Sequence, residues 1–127
     1  MSTHVVPADH VRLKRVYDPP SADDGVRILV DRLWPRGVRK EDAAVENWMK
    51  DIAPSGDLRR WFGHDPGRWQ EFRRRYAAEL RHHAHELDGL RELARQRTVT
   101  LVFGARDEEH NDAVVLREVL LKPPAAR

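Results

Sequence analysis

The segment Asp31-Arg32-Leu33-Trp34-Pro35-Arg36-Gly37 gathers a carboxylate, two guanidinium groups and an indole in one short stretch. Arg32 and Arg36 carry forks that hold a carboxylate or phosphate through paired hydrogen bonds, and Trp34 offers a flat face for a ring or a cation. Asp31 beside them is a candidate proton-transfer group. The competing reading is structural: Asp31 pairs with an arginine to tie the loop down, and Trp34 plugs the core.

A second set lies in Gly104-Ala105-Arg106-Asp107-Glu108-Glu109-His110-Asn111. If a helix follows, its free N–H groups and positive dipole end favour an anion held by Arg106, with Asp107 or His110 as proton carriers. Asp107, Glu109, Asn111 or Asp112 can equally serve as helix caps. His64, within Trp61-Phe62-Gly63-His64-Asp65-Pro66, is a third acid–base candidate, weighed against a merely hydrogen-bonded loop histidine.

Two further features read as solvated helix surface. His82, His83 and His85 have no spaced carboxylate to complete a metal site, so no metal is expected there. The Arg73-Arg74-Arg75 run is diluted by Glu71 and Glu79, and a nucleic-acid face needs neighbouring basic elements. Walker, dinucleotide-binding, esterase-elbow and zincin motifs are all absent, and no cofactor is indicated.

The elements that must position these groups follow from periodicity. Val11, Leu13 and Tyr17 alternate imperfectly with basic residues, predicting a strand at or near a sheet edge. Asp18 to Gly25 is a turn-rich loop. Val26 to Leu33, with the run Ile28-Leu29-Val30, predicts a central strand covered on both faces. The eight-residue loop before it suits an antiparallel neighbour or a non-adjacent parallel pair.

Val45, Trp48, Met49 and Ile52 recur at helical spacing and predict a helix over Glu41 to Asp51. A short helical turn runs through Leu58, Trp61 and Phe62. Asp65-Pro66 then starts a helix with the stripe Trp69, Phe72, Tyr76 and Leu80. Another helix spans Leu87 to Gln96, a second apolar strand spans Thr98 to Phe103, and a last helix spans about Asn111 to Leu121. Helices alternating with apolar strands define an α/β domain with a small, mainly parallel central sheet, three-layer-like and flanked by helices. Ligands in such sheets bind beyond the carboxyl ends of the strands, so the loops at Asp31 and Gly104 are expected to meet there.

At 127 residues, with 40% hydrophobic and 35% charged residues, the chain suits one globular domain. The domain is assigned to residues 11–121, with 1–10 and 122–127 as flexible termini. Cysteine is absent, which excludes disulfides, thiolate metal sites and a cysteine nucleophile. No apolar stretch could span a bilayer or act as a leader, so a cytoplasmic location and no membrane partner are expected. The pI near 9.3 reflects arginine, while the net charge of +2 gives little long-range steering of polyanions.

Several blocks in order resemble the YeaO-like branch of a bacterial family of uncharacterised domains. They are Leu13 to Pro20, Asp24-Gly25, Leu29 to Gly37, Trp61 to Pro66, Phe72 to Tyr76 and Asp107 to Asn111. The resemblance covers about residues 11–121 and implies a compact α/β domain, with no assigned reaction or cofactor. Gly104 and Arg106 stand where relatives more often resemble alanine and lysine, which changes local backbone freedom and hydrogen-bond geometry.

Two function classes follow. One is an enzyme or ligand-binding domain for a small anionic, phosphate- or nucleotide-like molecule. In it Arg32, Arg36 and Arg106 bind the anion, Trp34 packs a ring, and Asp31, His64, Asp107 or His110 moves a proton. The alternative is a non-enzymatic nucleic-acid or protein-binding module using the arginine-rich helix.

Overall fold

The computed structural model describes residues 5–122. Four strands, β1 (Val11–Arg15), β2 (Val26–Leu29), β3 (Asn47–Trp48) and β4 (Val99–Phe103), form one fully parallel sheet in the order β1-β4-β2-β3. The helices are α1 (Lys40–Ala43), α2 (Gly56–Phe62), α3 (Trp69–Leu80), α4 (Ala84–Gln96) and α5 (Asp112–Leu121). The α/β domain with its small parallel sheet is as expected. β1 is an edge strand, and β4 separates it from β2, so the short loop between β1 and β2 joins a non-adjacent parallel pair.

The two faces of the sheet differ. Leu13, Leu101 and Ile28 share one row, and their face carries the main core with Phe62, Phe72, Tyr76, Leu80, Leu90 and Leu116. Phe72, Tyr76 and Leu80 fall on one helix face and are buried, each contributing about 1.5–3 kcal/mol of burial free energy. The other face is covered thinly: Leu29 and Val102 pack with Val16, Ala43, Trp34, Val38, Val45 and Trp48.

Beside this small cluster lies a buried polar set. Asp24 bonds Lys14 at 3.1 Å and Arg27 at 2.7 Å. Arg27 also donates to the Ala43 and Ala44 carbonyls, closing the end of α1. Thr100 donates to the Asp24 carbonyl at 2.6 Å. Every residue of β2 is buried, as a strand covered on both faces requires.

The helix expected over Glu41 to Asp51 is not formed beyond one turn. Ala44 turns left-handed at φ 51 and ends α1. The N–H groups of Glu46 and Met49 then donate to the Arg27 and Leu29 carbonyls, making β3 the edge strand beside β2. The apparent helical spacing was two partly overlapping burial demands: Val45 and Trp48 serve the thin face, while Met49 and Ile52 serve the main core. β2 also stops short of Leu33; its ladder closes with Val30 N–H on the Val102 carbonyl, and Leu33 is exposed.

Asp65 caps the start of the α3 segment by accepting from the Gly67 N–H, with Pro66 in the first position. At the N-terminus, residues 5–10 pack onto the domain rather than trailing from it. Val6 is buried, His10 donates to the Ala94 carbonyl at 2.6 Å, and Arg117 donates to the Ala8 carbonyl at 2.9 Å. The expected flexibility of residues 1–4 and 123–127 lies outside the described residues. Among the described residues no helix is long and apolar enough to cross a membrane.

Candidate functional site

The chain leaves β2 toward β3 and leaves β4 for α5, which packs on β4 and β1. These diverging connections open a crevice between the carboxyl ends of β2 and β4, the position where parallel sheets accommodate ligands. A cavity of about 280 Å³ occupies it.

Its lining divides by depth. Arg36, Arg59 and His64 are exposed at the mouth. Asp31, Arg32, Gly104, Asn111 and Asp112 lie deeper, with Phe62, Phe72, Pro35 and Pro54 as apolar walls.

Asp31 is held from two sides. Its side chain accepts the Gly104 N–H at 2.8 Å, joining the two strand ends as expected, and its carbonyl accepts the Trp48 indole N–H at 2.7 Å. Gly104 does not use a left-handed backbone; a Cβ there would stand 3.2 Å from Asp31 Oδ2. An alanine at this position therefore acts on Asp31 by contact, not through backbone freedom.

Facing Asp31 in the same cavity is Asp112, the first residue of α5. Two carboxyl groups set in one cavity resist double ionisation, because like charges close together disfavour each other. Burial pushes both above the usual carboxylate range, and the Asp31 charge drives Asp112 well above it. The Gly104 N–H and His64 act the other way on Asp31 and favour its ionised form. Asp112 would profit from the positive end of the helix, but burial and its neighbour outweigh that gain.

Arg32 spends its fork on the chain before α2, donating to Pro54 at 3.0 Å and Ala53 at 3.4 Å. Tyr76 donates to the Ile52 carbonyl, and Glu79 accepts from Ser55, the cap of α2. These bonds fix the helix that presents Arg59 and leads to His64. His64 itself sits at φ 57, a left-handed conformation that non-glycine residues rarely adopt and that recurs at ligand-contacting positions. Trp34 donates to the Val38 carbonyl at 2.6 Å and meets Trp48 edge-on, so it braces the loop while lining the pocket.

The cavity thus gathers Asp31, His64, Arg32, Trp34 and Arg36 from the sequence candidates. Arg106, Asp107 and His110 are not in its lining. Arg106 is exposed. Asp107 accepts from the Glu109 and His110 N–H groups and from the His110 ring at 2.8 Å, contacts that hold its carboxyl below the usual range. His110 then meets Trp69 edge-on, at 5.1 Å between ring centroids. Asn111, not an acid, caps α5 by accepting from Val114.

Sequence reading missed Arg59 and treated Asp112 only as a cap. The one available signal was a carboxylate opening the helix that follows the other apolar strand. Elsewhere, His82 and His85 are exposed, and no group of three metal-ligating side chains occurs among the described residues.

A parallel α/β sheet with a mixed-charge cavity at its strand ends is the class of protein defined by this geometry. By its sequence the chain belongs to the family described as the inactive DUF488-N3 subclade, whose model matches residues 10–127. It is 43% identical over 111 residues to the uncharacterized protein YeaO of Escherichia coli, covering 87% of this chain and 96% of that relative. It is 46% identical over 110 residues to the uncharacterized protein Rv3073c of Mycobacterium tuberculosis, covering 87% of this chain and 92% of the relative. The uncharacterized protein Mb3100c of Mycobacterium bovis matches at the same identity and coverage. No solved structure matches the chain significantly.

Proposed function

We propose that the protein binds a small anionic molecule, phosphate- or carboxylate-bearing, in the cavity between the ends of β2 and β4. The observation that carries this reading is the pair of guanidinium groups at the mouth: among the described residues, the Arg36 and Arg59 side chains have no protein hydrogen-bond or ion-pair partner. Arginine forks left open at a concave site suit a bidentate oxyanion. The family's description as inactive favours binding over turnover.

The Asp31 and Asp112 pair supports a second reading, proton transfer to or from the bound molecule, since burial and the neighbouring carboxyl raise both toward the range of a general acid. The nucleic-acid or protein-binding module is less favoured. Arg74 and Arg75 are spent on Glu71, and Arg73 forks onto Glu118, which leaves the arginine-rich helix largely charge-compensated.

The test is the shift in melting temperature with orthophosphate, sugar phosphates and nucleoside monophosphates. Arg36→Ala and Arg59→Ala should each reduce the shift while leaving the ligand-free melting temperature unchanged. A full panel that never shifts the wild-type protein overturns the binding reading.

A further inference from the structure

The molecule treats Asp24 and the acids of the cavity in opposite ways. Asp24, under the thin face of the sheet, is paired with both Lys14 and Arg27. Asp31 and Asp112, deep in the cavity, have no lysine, arginine or histidine nitrogen within salt-bridge distance among the described residues. Their protein donors are backbone N–H groups, Gly104 to Asp31 and Ala113 to Asp112, both at distances near those of ordinary hydrogen bonds. Both acids are partly buried, and a negative charge withdrawn from water without a cationic partner is costly. The Arg32 guanidinium, also in the lining, is turned to the Pro54 and Ala53 carbonyls instead.

The cavity therefore has two ends of opposite sign. Open cationic groups, Arg36 and Arg59, stand at the mouth, and an unpaired acid pair forms the deep end. A purely anionic molecule that filled this space would bring its own charge against Asp31. A molecule with an anionic group at one end and a protonated nitrogen at the other satisfies both ends. Its nitrogen would supply the charge-assisted donor that the acid pair lacks.

The geometry points to an amphoteric ligand, anionic at the mouth arginines and bearing a protonated amine at Asp31 and Asp112, as the class of molecule this pocket selects. This rests on the anion-binding reading and adds the second recognition group. Asp31 and Asp112 act as specificity determinants, discriminating by charge between ligands that share the same anionic head. The apolar walls from Phe62 and Phe72 fit the short carbon linker between the two groups.

The experiment compares O-phosphoethanolamine with ethyl phosphate by isothermal titration at neutral pH, using the full chain. Both are small phosphate monoesters, and only the first carries an ammonium. The expected result is about tenfold tighter binding of O-phosphoethanolamine, the scale of one charge-assisted contact. In Asp112→Asn, and separately in Asp31→Asn, the ratio of the two affinities should fall toward one, with circular dichroism confirming the fold of each. Ethyl phosphate binding as tightly as O-phosphoethanolamine overturns the inference while leaving anion binding standing. A preference that survives in both variants also overturns it, because the selectivity then arises elsewhere. If neither compound binds at millimolar concentration, anion binding itself fails, and the amphoteric reading fails with it.

Discussion

Asp31 Oδ2 accepts the Gly104 N–H at 2.8 Å across 73 residues of sequence, and this bond fixes the acid against the end of the neighbouring strand. It also leaves Asp31 facing Asp112 inside a cavity, which has a consequence for stability as pH changes.

Asp31 and Asp112 have folded pKa values raised above their unfolded ones, so the folded state binds protons more strongly there. Their stabilising contribution is full below the ordinary carboxylate range and is lost as pH rises through the folded values. Arg32, His64 and the Tyr76 hydroxyl are the other charged or titratable groups around the pair. Glu71 runs the other way: its bonds to Arg74 and Arg75 lower it to about 2, and that contribution is lost as pH falls from the usual range toward that value. Asp112→Asn should therefore raise the melting temperature relative to wild type increasingly from mildly acidic to neutral pH. Thermal melts across pH check this; a gain that is constant with pH contradicts the raised Asp112 carboxyl.

Removing the Asp24 side chain should be far more damaging. Burial pushes this carboxyl up, but the Ser21 N–H, Lys14 and Arg27 together pull it below its usual value. Asp24→Ala leaves the buried Arg27 guanidinium without its counter-ion and should cost roughly 3–5 kcal/mol in urea unfolding. The double variant Asp24→Ala, Arg27→Met should recover much of that loss, because no uncompensated charge remains.

Gly25 adopts φ 64, and a Cβ there would lie 2.2 Å from the Thr98 carbonyl oxygen. Both the backbone conformation and the contact exclude a side chain, so Gly25→Ala should lose at least about 2 kcal/mol. Chemical denaturation measures it directly.

Arg106 provides the contrast to Arg36. It is exposed and outside the cavity lining. Arg106→Ala should change stability by no more than about 0.5 kcal/mol and leave the phosphate-induced melting shift intact. Arg36→Ala should reduce that shift. Loss of the shift in Arg106→Ala would place the anion at the start of α5 instead.

Local chemistry made much of this protein legible from its sequence. The β-branched runs at Val26 and Val99, the cap at Asp65-Pro66 and the stripe from Phe72 to Leu80 are determined by alternation, helical spacing and capping, which act between near neighbours. The expectation that Asp31 and Gly104 meet follows from the parallel-sheet rule alone. β3 escaped because the residues around it, Val45, Trp48, Met49 and Ile52, are buried against two different cores, and their spacing imitates one helix face. The role of Asp112 escaped because a carboxylate at a helix start ordinarily reads as a cap; only the packing of α5 against β4 sets it beside Asp31 and partly shields both from water. Sequence determines which groups each segment carries. The coupling of the two cavity acids and the charges left open at the mouth depend on distances between distant segments, and those distances exist only once the sheet has formed.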